Sequence, residues 1–207
     1  MQSEGEEDNM NLGGINHGDL GRTYRITPIQ SPIIGASFQG AYLSRLPLAP
    51  PLILQLDCWD SDGDLIIPYD ELPFLICHLS LQTPEEEDAA MIISPEGEQV
   101  SMLYGTLVAA PAEMNDTSQA PGIYFVFPDV SVRYVGRFRL HALLMRITGA
   151  FEAKLTMKYR GPPLDTATTE PFDIVRESDY IAPPITELTR HFDSQGVVRF
   201  GLPRSEW

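Results

Sequence analysis

The sequence predicts an all-β fold, a sandwich of two sheets with one short helix near the C-terminus. Eighteen Pro and 16 Gly among 207 residues disfavour long helices, because both residue types interrupt them. The apolar fraction of 43% is sufficient for a hydrophobic core. Short runs of β-branched and aromatic residues recur between Pro, Gly and Asp, a pattern that is typical of strands joined by turns.

Nine segments have strand character. They are residues 24–29, 52–59, 73–82, 98–108, 122–127, 131–135, 137–147, 151–159 and 172–175. Residues 60–64 (DSDGD) read as a tight turn, because Asp and Gly favour turn conformations. Longer loops are predicted over 83–90, 110–122 and 161–171. This many short strands with turn signals between them favours a sandwich.

One helix is predicted in residues 183–196 (PPITELTRHFDSQG). Ile185, Leu188 and Phe192 recur at helical spacing, two prolines precede them, and Gly196 is placed to end the helix. Residues 197–200 (VVRF) then predict a last strand.

The domain organisation is predicted to be a single folded unit over residues 22–207. Residues 1–21 are acidic, rich in Gly and Asn and poor in large apolar side chains, which predicts a disordered tail. The first twenty residues lack the basic start and apolar stretch of a secretory signal, and no run is long enough to span a bilayer. We therefore expect an intracellular protein without membrane insertion.

The net charge of −15 excludes a whole-surface attraction to nucleic acid or anionic lipid, so any such contact must be local. Residues 46–132 contain 15 acids and no Lys or Arg, whereas residues 133–160 contain seven bases and one acid. Arg137 and Arg139 share a strand face by two-residue alternation, with Arg133 in step before Gly136. This face is either a contact for phosphate or an acidic partner, or a solvated surface that balances the acidic loops.

Asp60, Asp62 and Asp64 are the best metal candidates, because carboxylates at alternate positions are typical of calcium loops. The position that needs Gly in a helix-loop-helix site is Leu65, which disfavours that class. A calcium-dependent β-sandwich module that uses the loop from Asp57 to Asp64 stays as an alternative to a solvated turn.

Catalysis is not predicted. The sequence contains no GxSxG, HExxH or P-loop motif, and its two Cys and four His lack zinc-site spacing. Cys58 and Cys77 lie in apolar runs and are expected in the core. We predict no enzymatic activity, no cofactor and no resident metal.

Five separated segments form a recognisable pattern. They are PPLILQL (50–56), PFLICHLSL (73–81), LYGTLVAAPAEMND (103–116), GIYFVFPDVSVRYVGRFRLHALLMRI (122–147) and ITELTRHFDSQGVVRF (185–200). Their order and spacing resemble the velvet domain of fungal developmental regulators. The resemblance extends over about residues 24–202 and is strongest in 122–147.

The resemblance implies an immunoglobulin-like (Rel-like) β-sandwich that acts as a dimer with itself or with another velvet protein. It also implies a non-enzymatic nuclear regulator, shuttling with the cytoplasm, that controls transcription for development, sporulation and secondary metabolism. DNA-contacting members carry several Lys and Arg in the loop before the Pro-Pro strand, but residues 35–51 retain only Arg45. We therefore expect weakened DNA binding through Arg45, Arg133, Arg137 and Arg139, with a partner supplying further contacts.

Overall fold

The computed structural model describes residues 21–40, 43–94, 97–147 and 162–200. Within them, two β-sheets pack face to face around a hydrophobic core, and one short helix covers the outer face of the first sheet. The predicted all-β, immunoglobulin-like sandwich with one helix is confirmed.

The strands follow one another along the chain with few helical elements between them. In chain order they are β1 (Thr23–Gln30), β2 (Ile34–Ala36), β3 (Leu52–Trp59), β4 (Leu65–Ile66), β5 (Leu75–Gln82), β6 (Met91–Ile93), β7 (Gln99–Ser101), β8 (Leu103–Tyr104), β9 (Val108–Ala109), β10 (Ala112–Asn115), β11 (Pro121–Phe127), β12 (Ser131–Val132), β13 (Gly136–Arg146), β14 (Asp165–Thr168) and β15 (Phe172–Val175). Short 3-10 turns occupy Leu72–Phe74 and Glu177–Asp179, and helix α1 spans Glu187–Ser194.

The first sheet has the order β1-β3-β11-β10, with β4 also paired to β3. The second has the order β2-β15-β13-β5-β9, with β14 also paired to β13. Two small ribbons, β12 with β8 and β6 with β7, lie outside these sheets. All pairs are antiparallel except β2 with β15.

The main core lies between the two sheets and follows the strand alternation. In β5 every second side chain, from Leu75 to Leu81, points inward and is buried, and β13 contributes Leu140 and Leu144 in the same way. Full burial of such a side chain stabilises the fold by about 1.5–3 kcal/mol. Cys58 and Cys77 are buried free thiols, as predicted, and burial raises the pKa of Cys77 to about 12.

Helix α1 covers the outer face of the first sheet. Phe192 is fully buried there, and its ring lies 4.8 Å from that of Tyr124, beside Ile53 and Val126. Both faces of β3 and β11 are therefore buried, which explains why their sequences are continuous apolar runs. The Thr186 side chain caps the helix by accepting a hydrogen bond from the backbone N–H of Thr189.

The structure corrects several predicted elements. Residues 98–108 form three short strands (β7, β8 and β9), and the loops predicted over 110–122 and 161–171 contain β10 and β14. These two strands are short and polar, so they become strands only because longer neighbours offer hydrogen-bonding edges.

The predicted strand over 197–200 was also wrong. Val198 and Phe200 do alternate inward, but they pack on the cluster around Phe192 instead of pairing with a strand. The predicted strand over 151–159 and residues 1–20 of the predicted tail lie outside the described residues. Within the described ranges, no helix is long and apolar enough to cross a bilayer.

Candidate nucleic-acid interface

Arg133 lies in the interior rather than on a basic face. Its side chain is only 6% exposed, its Nε donates to the carbonyl of Ser101 at 2.8 Å, and its Nη1 donates to the carbonyl of Gln39 at 2.9 Å. The guanidinium also lies 5.2 Å from the ring centroid of Phe38. Arg133 therefore ties the end of β7 to the loop that contains Gln39, and its predicted DNA contact is not supported by this placement.

Arg137 and Arg139 do lie on the same, outward face of β13, as alternation predicts. Arg139 is bonded to the carboxylate of Glu86 at 3.0 Å, and Arg137 lies 3.9 Å from that of Asp173. Each base thus faces an acid from a neighbouring element. The local charge is balanced, and DNA contact by this pair stays a prediction.

Arg45 lines a surface cleft, which we call the Arg45 cleft. Its guanidinium lies 5.4 Å from the ring centroid of Tyr104, and Ser37 and Phe38 line the same cleft. The loop that carries Arg45 is held in place where the Ser131 hydroxyl donates to the carbonyl of Leu46 at 2.9 Å. An arginine held on an aromatic ring is preorganised to meet an anion, because its fork of donors is already oriented.

Arg176 borders a depression that adjoins the Arg45 cleft, although sequence reasoning missed it. It follows β15 and borders, with Ser178, a depression of about 350 Å³ that also shares Ser37 and Phe38 with Arg45. In the sequence it is a single base among acids, far from Arg45, so no local pattern indicates it. Only the parallel pairing of β2 with β15 brings the two segments together.

Acidic groups limit the positive potential of the Arg45 cleft. Glu177 lines it, and Asp179 accepts hydrogen bonds from Arg176 at 2.8–2.9 Å. This contact is the main reason that the pKa of Asp179 lies below its ordinary value. The Arg176–Asp179 pair is exposed and therefore weak, so a phosphate could compete for the guanidinium. Two bases beside two acids offer contacts for at most one or two phosphate groups.

In the Asp60–Asp64 turn, the carboxylate of Asp60 accepts hydrogen bonds from the backbone of the turn itself. Asp60 Oδ1 accepts from the backbone N–H of Asp62 at 3.0 Å and of Asp64 at 2.9 Å. In the part of the chain that the structure describes, no group of three or more His, Cys, Asp or Glu is arranged to hold a metal ion. Calcium binding by Asp60, Asp62 and Asp64 gains no support from this geometry.

A buried ion cluster, which we call the Glu71 cluster, was also missed. The side chain of Glu71 is 5% exposed, and its carboxylate is contacted by Arg22 at 2.9 Å, by Arg146 and by the Tyr24 hydroxyl. Burial, followed by the bond to Glu71, raises the pKa of Tyr24 above its ordinary value. The cluster joins β1 of the first sheet to β13 of the second and is a structural element rather than a binding site.

Two of the recognised sequence segments contact each other directly. Gly105 has a φ of +108°, and a Cβ there would clash with the backbone oxygen of Asp129, so only glycine fits. The neighbouring Thr106 N–H donates to Asp129 Oδ1 at 2.9 Å. Tyr104 and Ser131 then pair as strands β8 and β12. Residues 103–106 (LYGT) of one segment and 129–132 (DVSV) of the other therefore pack together as one unit.

A comparison with known protein families matches the part of the chain that contains both of these segments. The model of the family described as Velvet factor matches residues 82–201. The chain belongs to the velvet family. The matched range includes β8, β12, β13 and helix α1, and thus both segments joined at Gly105.

Named velvet relatives are similar to most of this chain. The Sexual development regulator VELC of Pyricularia oryzae is 31% identical over 84% of this chain and 40% of its own length. A protein of Chaetomium globosum that is named as part of a velvet complex is 33% identical over 75% of this chain and 33% of its own length. The Spore development regulator vosA of Cochliobolus sativus is 27% identical over 74% of this chain. The chain thus spans less than half the length of these relatives.

Proposed function

We propose that this chain is a regulator of fungal development, sporulation and secondary metabolism that acts in the nucleus, and shuttles with the cytoplasm, as a dimer with itself or another velvet protein. The observation that carries the proposal is the velvet match over residues 82–201, which includes strands β6 to β15 and helix α1. The names of the relatives, which are regulators of sexual development, spores or secondary metabolism, give the process. We propose no catalytic step.

The domain is residues 22–207 in this proposal, preceded by an acidic tail over 1–21. A dimer is supported by the name of the Chaetomium globosum relative, which places that protein in a velvet complex. It is also supported by the charge of −15, because a chain this acidic gains DNA affinity most simply by pairing with a more basic protein.

DNA contact, in this proposal, occurs at the Arg45 cleft. Arg45 lines the cleft and Arg176 lines the depression beside it, and a phosphate oxygen can take the place of Asp179 at the Arg176 guanidinium. With two bases and the nearby Glu177, binding by this chain alone is expected to be weak and strongly reduced by salt.

Co-expression tests the dimer. The chain should co-purify with at least one velvet-family protein from the same genome and give a dimer mass by light scattering. A chain that remains monomeric alone and with every family member would contradict it.

Electrophoretic mobility shifts over a salt series test the cleft, using the purified dimer and genomic promoter fragments. Arg45→Ala and Arg176→Ala should each lower the salt slope by about one unit, whereas Arg25→Ala, an exposed arginine on β1, should not. Equal slopes for all three variants would rule out the Arg45 cleft while leaving the dimer intact. Imaging of the tagged full-length protein tests nuclear location.

A further inference from the structure

The ribbon of β6 and β7 is an apolar edge that stands outside both sheets. Met91, Ile92 and Ile93 are consecutive and are 49%, 40% and 65% exposed. Since successive strand residues point to opposite sides, exposure of all three means that neither face of β6 is covered. Among the described residues, β6 pairs only with β7 and β7 only with β6. Exposed edges of this kind are templates for another strand.

The base of the ribbon is anchored rather than frayed. The Met102 N–H donates to the carbonyl of Ala90, and the carboxylate of Asp88 accepts from the Ala90 N–H, both at 2.9 Å. At the end of β7, Arg133 binds the carbonyl of Ser101. The ribbon is therefore held in a fixed direction, which lowers the entropic cost of binding a partner.

Acidic side chains flank the apolar strand. Glu85, Glu86, Glu87 and Asp88 are all exposed just before β6, and Glu98 is exposed just before β7. Arg139 pairs with Glu86 at 3.0 Å and Arg133 binds the Ser101 carbonyl, but the other flanking acids make the charge around the ribbon mainly negative. A second copy would bring the same acids to the same edge, which disfavours self-pairing.

We propose that β6 is a docking strand for an extended segment of another protein in which apolar and Lys or Arg side chains alternate. The segment adds to the free edge of β6 by backbone hydrogen bonds. Its apolar side chains cover Met91 and Ile93, and its cations face the flanking acids. The inference rests on the proposed dimer for the existence of a protein partner, and it adds the surface and the chemistry of that partner.

A synthetic peptide tests the chemistry without knowledge of the partner. The probe is fluorescein-labelled Lys-Ile-Lys-Val-Lys-Ile-Lys, measured by fluorescence anisotropy, and its control carries Thr in place of Ile and Val. The apolar probe should bind more tightly than the equally charged control. Equal affinities would reduce the interaction to charge alone and overturn the proposal.

Two matched variants test whether the peptide probe binds at β6. Ile93→Thr should weaken probe binding about tenfold, whereas Leu65→Thr, at a β4 residue that is also 65% exposed, should leave it unchanged. Thr keeps strand propensity, so both variants should melt as the unaltered chain does. Equal binding by the two variants overturns the docking strand. If the chain alone forms a dimer and Ile93→Thr makes it monomeric, the β6 edge binds a second copy. That result would also overturn the proposal.

The same variants separate this inference from the proposed function. A velvet partner that co-purifies with Ile93→Thr as well as with Leu65→Thr supports the dimer and removes β6 from its interface. Absence of any velvet partner contradicts the dimer, and the peptide measurement then decides the docking strand by itself.

Discussion

The Glu71 cluster and the Arg45 cleft both place arginines beside carboxylates, with opposite consequences. In the cluster, Arg22 and Arg146 surround a carboxylate that is 5% exposed, and the contacts join two sheets. In the cleft, Arg176 and Asp179 form a pair whose side chains are 73% and 49% exposed. The first arrangement stabilises the fold, and the second leaves a guanidinium that an incoming anion can use.

Burial decides between these roles. A buried carboxylate that loses its cations keeps the full desolvation penalty, so the partners depend on one another. An exposed pair is solvated by water when it separates and contributes about 0–1 kcal/mol. Arginines near one another in space therefore indicate a ligand site only where solvent still reaches them.

The largest loss of stability should follow from removing the carboxylate of the Glu71 cluster. Glu71→Ala leaves Arg22 and Arg146 without their shared carboxylate and should lower the free energy of unfolding by about 3–5 kcal/mol. Glu177→Ala, at an exposed position of the cleft, should change it by less than about 0.5 kcal/mol. Urea unfolding measures both. Equal effects would erase the distinction between the two regions.

Arg133 was predicted to contact DNA, but we expect it to contribute to the stability of the fold as the residues of the Glu71 cluster do. Arg133→Ala removes two hydrogen bonds to backbone carbonyls and should lower stability by about 2–3 kcal/mol. Arg137→Ala, with a side chain 64% exposed, is the matched control and should have almost no effect. A stable Arg133→Ala protein with reduced DNA affinity would reverse this assignment.

The next largest effect is expected at alkaline pH, where the Tyr24 hydroxyl of the Glu71 cluster ionises. Tyr24 has a raised pKa in the folded state, so its hydroxyl ionises more easily in the unfolded chain. The stability it contributes is complete below the unfolded pKa near 10 and is lost as pH rises toward the higher folded value. Tyr24→Phe should therefore flatten the fall of melting temperature above about pH 10. A fall as steep as in the unaltered chain would contradict this account.

The smallest effect on stability is expected at the cleft itself. Arg45→Ala removes a contact with the Tyr104 ring and should lower the free energy of unfolding by about 0.5–1 kcal/mol. Arg45→Lys keeps the charge and should recover part of this loss in the same unfolding assay. A loss as large as that of Glu71→Ala would make Arg45 a structural residue.

Sequence reasoning predicted the sandwich, most strands and the helix because their signals are local. Alternation in β5 and the spacing of Leu188 and Phe192 appear within single segments. It missed β10 and β14, which are polar and depend on the edges of β11 and β13. For the same reason it read residues 197–200 as a strand, since alternation does not reveal whether a neighbouring edge is available.

The sequence by itself determined the all-β class, the acidic charge, the velvet resemblance and the presence of Arg45 in an otherwise base-poor loop. Tertiary structure alone decided that Arg133 is buried, that Arg176 borders a depression next to the Arg45 cleft, and that Glu71 meets two arginines. Periodicity and composition report which side of a segment faces inward. The partners of a charged group come from segments distant in the chain, and only packing sets their separation and their access to water.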